Sequence, residues 1–327
     1  MFRVCKIVGV LRLLRIKLVG SESALVLLVA VLVGLSLGSL PSSRSFQVLR
    51  TEILDGPIQF VVIAPFFFLV GLELRREITH GSLKPIRNAI SPALAAVMGV
   101  AFPALWFYSL NRGTTEVTGW PIPTATDVTF ALAIFTAFGS SLPRAARTFL
   151  LAFAVIDDLI AVILISLVFG FSGESGFAEL VPVILAFVVP LRWPARIEAW
   201  LLRYLNWVGL PVFAVLMAFI PLPPVSSVMT SSVFWGIAAR PLWKWLGVFI
   251  GGYLGQHWTS VASKLSIRNL LAVASLGGIG FTVSLLVASI AFASNPEAYA
   301  AAVAATFIAS GISALLAAFA LVRGHRA

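Results

Sequence analysis

Thr148 to Phe169 is almost wholly apolar and long enough to cross a bilayer, yet two adjacent aspartates, Asp157 and Asp158, stand in its middle. It is one of about ten runs that approach or exceed the roughly 17 mostly apolar residues a membrane helix needs. The runs fall at 23–41, 57–74, 88–109, 120–139, 148–170, 178–191, 204–220, 226–250, 268–293 and 299–322, the sixth and seventh being short. With 60% hydrophobic and 11% charged residues, no soluble core could bury a chain of 327 residues of this kind. The expectation is an all-α polytopic membrane protein of about ten transmembrane helices. It forms a single transmembrane domain over residues 1–327, with no soluble domain.

The charges agree with that reading. An internal N-terminus and ten spans place Arg75, Arg76, Arg144, Arg147, Lys264, Arg268 and Arg323, with most of the other basic residues, on the cytoplasmic side. Only Arg44, Arg50 and Arg112 fall on the opposite side. This bias predicts both termini in the cytoplasm. It also accounts for the net charge of +10 without a nucleic-acid partner. Residues 1–20 mix Arg3, Lys6, Arg12, Arg15 and Lys17 with apolar residues and read as a basic amphipathic segment lying on the bilayer surface. The single cysteine, Cys5, excludes an intrachain disulfide, and His80, His257 and His325 show no metal-ligand spacing. No cofactor is expected. Arg240 and Lys244 fit neither side of the membrane because they lie within the eighth span. Lys244 reads as snorkelling from the span's edge.

Two spans look broken. "GWPIPTATDVTFALAI" contains Pro121 and Pro123, which lack backbone donors, beside Thr124, Thr126 and Asp127, whose side chains can bond freed peptide groups. "SLGGIGFTVSLL" contains Gly277, Gly278 and Gly280, which let the chain unwind before Phe281. Such breaks persist in a bilayer only where protein or water satisfies the exposed backbone. Each is the middle of three spans, 88–170 and 226–322, and the two triplets enter the membrane from opposite sides. That is the pattern of an inverted-topology repeat with its binding site at the bilayer midplane.

Acidic residues inside the spans are few: Asp127 beside the first break, and Asp157 and Asp158. Each costs on the order of 2.5–3.5 kcal/mol at mid-bilayer on insertion scales, so the adjacent pair requires a reason. On a helix the two side chains point about 100° apart, which gives them different surroundings and different tasks. One division offers one carboxylate to a water-filled cavity and pairs the other with a buried cation on a neighbouring helix, Arg240 being the candidate. Carboxylates, the Thr126 hydroxyl and unwound carbonyls together supply hard oxygen ligands for a small cation. Asp127 can offset the N-terminal ends of broken helices, and a cation the C-terminal ends.

Four stretches, "FFFLVGLELRRE" (66–77), "GWPIPTATDVTFALAI" (119–134), "FLLAFAVIDDLIAVILI" (149–165) and "GGIGFTVSLLVASIAF" (277–292), resemble in order the motifs of the NhaA family of sodium/proton antiporters. The resemblance covers most of the chain. It implies that Asp158 binds Na+ or Li+ and releases protons, and that Asp157 is the partner paired with a cation on a nearby helix. It further matches Thr126 and Asp127 to the broken-helix residues, and Glu73, Arg76 and Glu77 to a cytoplasmic funnel involved in pH response.

Three departures accompany the likeness. Family members typically have twelve spans, and the short segment after "LISLVFGF" leaves out two. The family's buried lysine before Pro-Leu reads here as Arg240-Pro241-Leu242. Arginine does not release its proton at any relevant pH, which points towards electroneutral exchange where family lysines carry a transported proton. The family's histidine near the outer entrance is absent, its position falling near Ala178.

The reading is thus a secondary transporter, not an enzyme, that exchanges sodium or lithium for protons by alternating access in a bacterial inner membrane. It would serve pH homeostasis and sodium tolerance, with the lipid bilayer as its surroundings and a homodimer left open. The rival readings are a reduced leak or regulatory homologue of the same fold and, remotely, an intramembrane aspartyl protease that would use Asp127 with Asp158.

Overall fold

The structure, a computed structural model, describes residues 22–40, 86–140, 142–169, 195–219, 225–258 and 264–323, with isolated positions 48, 64, 68, 71, 72, 75, 181 and 185. The segment 1–20, the span at 178–191, most of the span at 57–74, and Glu73, Arg76 and Glu77 lie outside the described residues. Every regular element among the described residues is helical.

The helices are α1 (Glu22–Gly38), α2 (Ile86–Asn111), α3 (Val128–Phe138), α4 (Arg144–Phe169), α5 (Ala195–Tyr204), α6 (Leu210–Ala218), α7 (Val225–Met229), α8 (Ser232–Ala238), α9 (Arg240–Gly255), α10 (Ile267–Ala274), α11 (Thr282–Ala291) and α12 (Pro296–Arg323). Short 3-10 turns at Thr115–Gly119 and Ile122–Thr124 precede α3, and another at Ser275–Gly278 follows α10. A π turn, Leu205–Gly209, joins α5 to α6.

Asn88–Asn111, Thr115–Phe138, Arg144–Val168 and Pro296–Arg323 are each long and apolar enough to cross a membrane. Ile267–Gly278 and Thr282–Ala291 form a fifth such element, bent by 44°. The chain is a polytopic membrane protein. The eighth span of the sequence reading is divided differently from expectation. It comprises α7, α8 and α9, α9 continues to Gly255, and Arg240 opens α9 immediately after Ala239. Pro241 stands in the first turn of α9, where a missing N–H removes no helix bond.

Two hydrophobic clusters lie at different heights along the helices. One takes Phe107 of α2, Val162 and Ile165 of α4, Leu285 of α11 and Ala302 of α12, together with α1 and α6. The other takes Ala95 of α2, Phe149 and Phe153 of α4, Leu270 of α10 and Leu321 of α12. Between them along α4 stands Asp157, and between them along α12 stand Thr306, Ser310 and Ser313, all buried. A polar layer therefore separates two apolar halves, as the midplane of a bilayer separates its leaflets.

The packing of α9 on α2 sets the position of that layer. Gly247, Gly251 and Gly255 recur every four residues along one face of α9, the spacing that lets membrane helices approach closely. A methyl group at Gly247 or Gly251 would run into the backbone of Met98 or Leu94, and one at Gly255 would meet Ser91. The Ser91 hydroxyl donates to Gly252 O at 2.7 Å across the same seam. Gly311 of α12 has open space where a methyl would stand. Gly251→Ala should cost about 1–3 kcal/mol through overpacking and lower the melting temperature of the purified protein. Gly311→Ala, the same chemical change on an open face, should leave it unchanged or raise it through the roughly 1 kcal/mol gained in helix propensity.

Candidate functional site

Pro121 and Pro123 hold the chain in a 3-10 turn that gives way to extended backbone at Ala125 (φ −74°, ψ 146°) and Asp127 (φ −99°, ψ 101°). On the other side, the turn Ser275–Gly278 gives way to extended backbone at Ile279 (φ −82°, ψ 103°). The two unwound stretches cross. The Asp127 N–H donates to Ile279 O at 2.7 Å, and the Thr126 hydroxyl donates to Gly277 O at 2.9 Å. Ser284 Oγ donates to Ile122 O at 2.9 Å. Each break thus supplies partners for groups freed by the other, as burial away from water requires.

Such closeness needs glycine. A methyl at Gly280 would enter the space of Ala125 O and lie 2.8 Å from Arg240 Nη1. One at Gly278 would crowd Ser313 and lie 3.3 Å from Pro241 Cα, and one at Gly277 would lie 3.2 Å from Val248 and 3.3 Å from Phe153.

The charges at the crossing follow the helix ends. Asp127 caps α3 by accepting from Phe130 N at 3.4 Å. Its other oxygen accepts from Thr282 N at 3.2 Å and Thr282 Oγ1 at 2.7 Å, at the start of α11. One carboxylate therefore faces two helix N-termini, where partial positive charge gathers. The Lys244 ammonium donates to Thr124 O, at the C-terminal end of the 3-10 turn Ile122–Thr124, and pairs with Asp157 at 2.9 and 3.1 Å. Arg240 spans three elements: Nη1 donates to Ser284 Oγ at 2.9 Å, and Nη2 to Ser310 Oγ at 2.7 Å and Thr306 O at 3.3 Å. Ser310 Oγ in turn donates to Gly280 O at 2.8 Å.

This geometry corrects two expectations. The cation facing Asp157 is Lys244, whereas Arg240 binds hydroxyls and a carbonyl. Nor does Lys244 snorkel, for it is fully buried, as are Arg240 and Asp157. Positions 240 and 244 share one face of α9 but differ by about 6 Å in height, and only the lower brings its charge level with Asp157. The sequence carried one signal for this docking that the reading above did not use: the glycine repeat in "GVFIGGYLG" (247–255), which draws the Lys244 face of α9 against α2.

Asp158 differs from its neighbour, being half-buried where Asp157 is fully enclosed. Its charge is within electrostatic reach of Lys244. Thr126 adds its amide and hydroxyl to the surroundings of Asp157. The chain thus brings Thr126, Asp127, Asp157 and Lys244 to one crossing, with Asp158 one residue beyond it on α4 and Arg240 one helical turn above. Among the described residues no three His, Cys, Asp or Glu side chains gather as metal ligands. Any cation held here would rely on carboxylate, hydroxyl and peptide oxygens.

A family model described as Na+/H+ antiporter 1 matches residues 18–189 and 170–321. Its two segments overlap at 170–189, the stretch where the sequence reading finds two spans left out. Among similar curated proteins, the Na+/H+ antiporter NhaA 2 of Clavibacter michiganensis subsp. michiganensis is 34% identical over 85% of this chain and 80% of its own length. The Na+/H+ antiporter NhaA of Tropheryma whipplei is 34% identical over 78% of this chain and 79% of its own. That of Shewanella frigidimarina is 31% identical over 85% and 88%. The family model's match takes in both breaks, the aspartate pair and the helices that enclose them. The chain belongs to the Na+/H+ antiporter 1 family, whose members are secondary transporters and not enzymes.

Proposed function

We propose that this sodium/proton antiporter exchanges its substrates at Asp158, with Asp157 fixed by Lys244 as the adjoining charge. The observation that carries the reading is the asymmetry of the pair: one carboxylate is enclosed and ion-paired, and the other is half-buried beside it. A sodium or lithium ion and a proton compete for Asp158, so that loading one expels the other. Thr126 and the carbonyls of the crossing offer further oxygens to the dehydrated ion. Alternating access then opens the site to one side of the membrane and the other in turn.

Asp127 and Arg240 serve the scaffold of the site, the first at two helix N-termini and the second across α9, α11 and α12. Because the cation beside Asp157 is a lysine, the pair retains a group able to give up its proton. Arginine at 240 therefore gives no argument for electroneutral exchange. Glu73, Arg76 and Glu77 are assigned to pH response by resemblance alone. The distribution of basic residues supports both termini lying in the cytoplasm, for a transporter placed in the bacterial inner membrane. The crossing is built from one chain, so a homodimer would carry two separate sites. In the cell such exchange serves sodium tolerance and pH homeostasis.

In everted vesicles from an antiporter-deficient host, sodium or lithium should collapse an imposed pH gradient with the wild type and not with Asp158→Asn at equal membrane abundance. Apparent cation affinity should weaken as pH falls, because protons compete for the same carboxylate. A fully active Asp158→Asn variant would refute the assignment. Absence of cation-driven flux in the wild type would favour the leak or regulatory reading.

The ion pair makes a separate prediction. Lys244→Met leaves Asp157 buried without its cation and should cost about 3–5 kcal/mol of stability. Adding Asp157→Asn should recover most of that loss. Thermal melting of the single and double variants in detergent measures both.

A further inference from the structure

Between α9, α10 and α12 runs an apolar groove of about 520 Å³, with Leu242, Trp245, Leu271, Leu316 and Phe319 among its walls. Several of these side chains are turned outward, Leu242 and Phe319 being more than half exposed. Its hydroxyl-bearing walls are Ser275, which donates back to Ala272 O at 2.7 Å, and the buried Ser313. Apart from the Ser313 hydroxyl, which is buried and without a hydrogen-bond partner among the described residues, the groove offers an incoming group little to hydrogen-bond along its length, which suits a hydrocarbon chain.

One end is different. Arg323 lies one turn beyond Phe319 with its guanidinium 4.1 Å from the centre of that ring. Arg268, one turn before Leu271, donates to Arg323 O at 3.1 Å. Both arginines are exposed, and neither is paired with a carboxylate among the described residues. Two guanidiniums at this end offer donors suited to phosphate oxygens. Their position, at the end of the long apolar helix α12, is the headgroup level of a bilayer.

We propose that this groove binds one anionic glycerophospholipid, its phosphate on Arg268 and Arg323 and an acyl chain along α9 and α12. Charge complementarity selects the headgroup, and the apolar walls select a chain over a free phosphate. The groove also touches Ala239 and Pro241, where α8 passes into α9, and Ser275, where α10 passes into its 3-10 turn. A bound chain thus braces two joints of the scaffold from the lipid side.

The test is native mass spectrometry of the full chain in mild detergent, with phosphatidylglycerol or phosphatidylcholine added. The wild type should retain phosphatidylglycerol in preference to phosphatidylcholine, and the double variant Arg268→Ala/Arg323→Ala should retain it about tenfold or more weakly. Ala320→Phe narrows the groove and keeps both arginines, and it should lose the lipid as well. Leu242→Trp, from the opposite wall, asks the same question should Ala320→Phe fold poorly. Equal retention of the two lipids, or no loss in the double variant, would overturn the proposal. So would unchanged retention in the narrowed grooves, which would assign the lipid to surface charge alone. Lipid binding that appears only when a dimer is dissociated would overturn it too, by giving the groove to a second copy of the chain. None of these readouts depends on transport, so the site stands or falls apart from the exchange mechanism.

Discussion

Unwound backbone inside a membrane needs partners for its peptide groups, because hydrocarbon supplies none. Here two unwound stretches cross and satisfy each other, and the remaining architecture follows from that exchange. Asp127 N–H reaches Ile279 O, and Thr126 Oγ1 reaches Gly277 O. Neither break could be buried in this form without the other. The crossing also brings helix ends of both signs to the midplane, and buried charges of the opposite sign stand against them: Asp127 at two N-termini, Lys244 at a C-terminal carbonyl. An ionisable residue that would be costly alone becomes part of a balanced set.

The balance depends on height as much as on proximity. Apolar clusters above and below confine the polar residues to one layer, and α4 and α12 pass through both clusters with their polar residues between. Lys244 reaches this layer because the glycine face of α9 lies against α2 with almost no space between them. Backbone contact without side chains leaves little freedom to slide, so the ammonium is held level with Asp157 by packing some distance away. A residue that only fills a seam thus determines which cation of α9 is paired with Asp157.

Much of this was legible in the sequence. Pro121 and Pro123 announced the first break, Gly277, Gly278 and Gly280 the second, and two adjacent aspartates in an apolar run could not both be structural filler. Local chemistry suffices for such features, since a missing N–H or an intramembrane carboxylate carries its meaning wherever the chain goes. The identity of the cation facing Asp157 was not legible. Arg240 and Lys244 occupy the same helical face, and choosing between them requires the axial register of α9 against α4. That register is a tertiary quantity. The glycine repeat announced close packing, but not the height at which it would stop.

The two cations are not interchangeable once their neighbours are known. Arg240 bridges Ser284, Ser310 and a carbonyl of α12, three neutral acceptors spread over two helices. A planar, permanently charged fork suits that geometry, and its charge stays fixed. Lys244 instead faces a carboxylate and a single peptide oxygen with a compact, localised ammonium charge. A permanent cation beside Asp157 would hold that carboxylate ionised in every state of the cycle. Under the proposed exchange at Asp158, a lysine there leaves the pair's charge free to respond when an ion arrives one residue away.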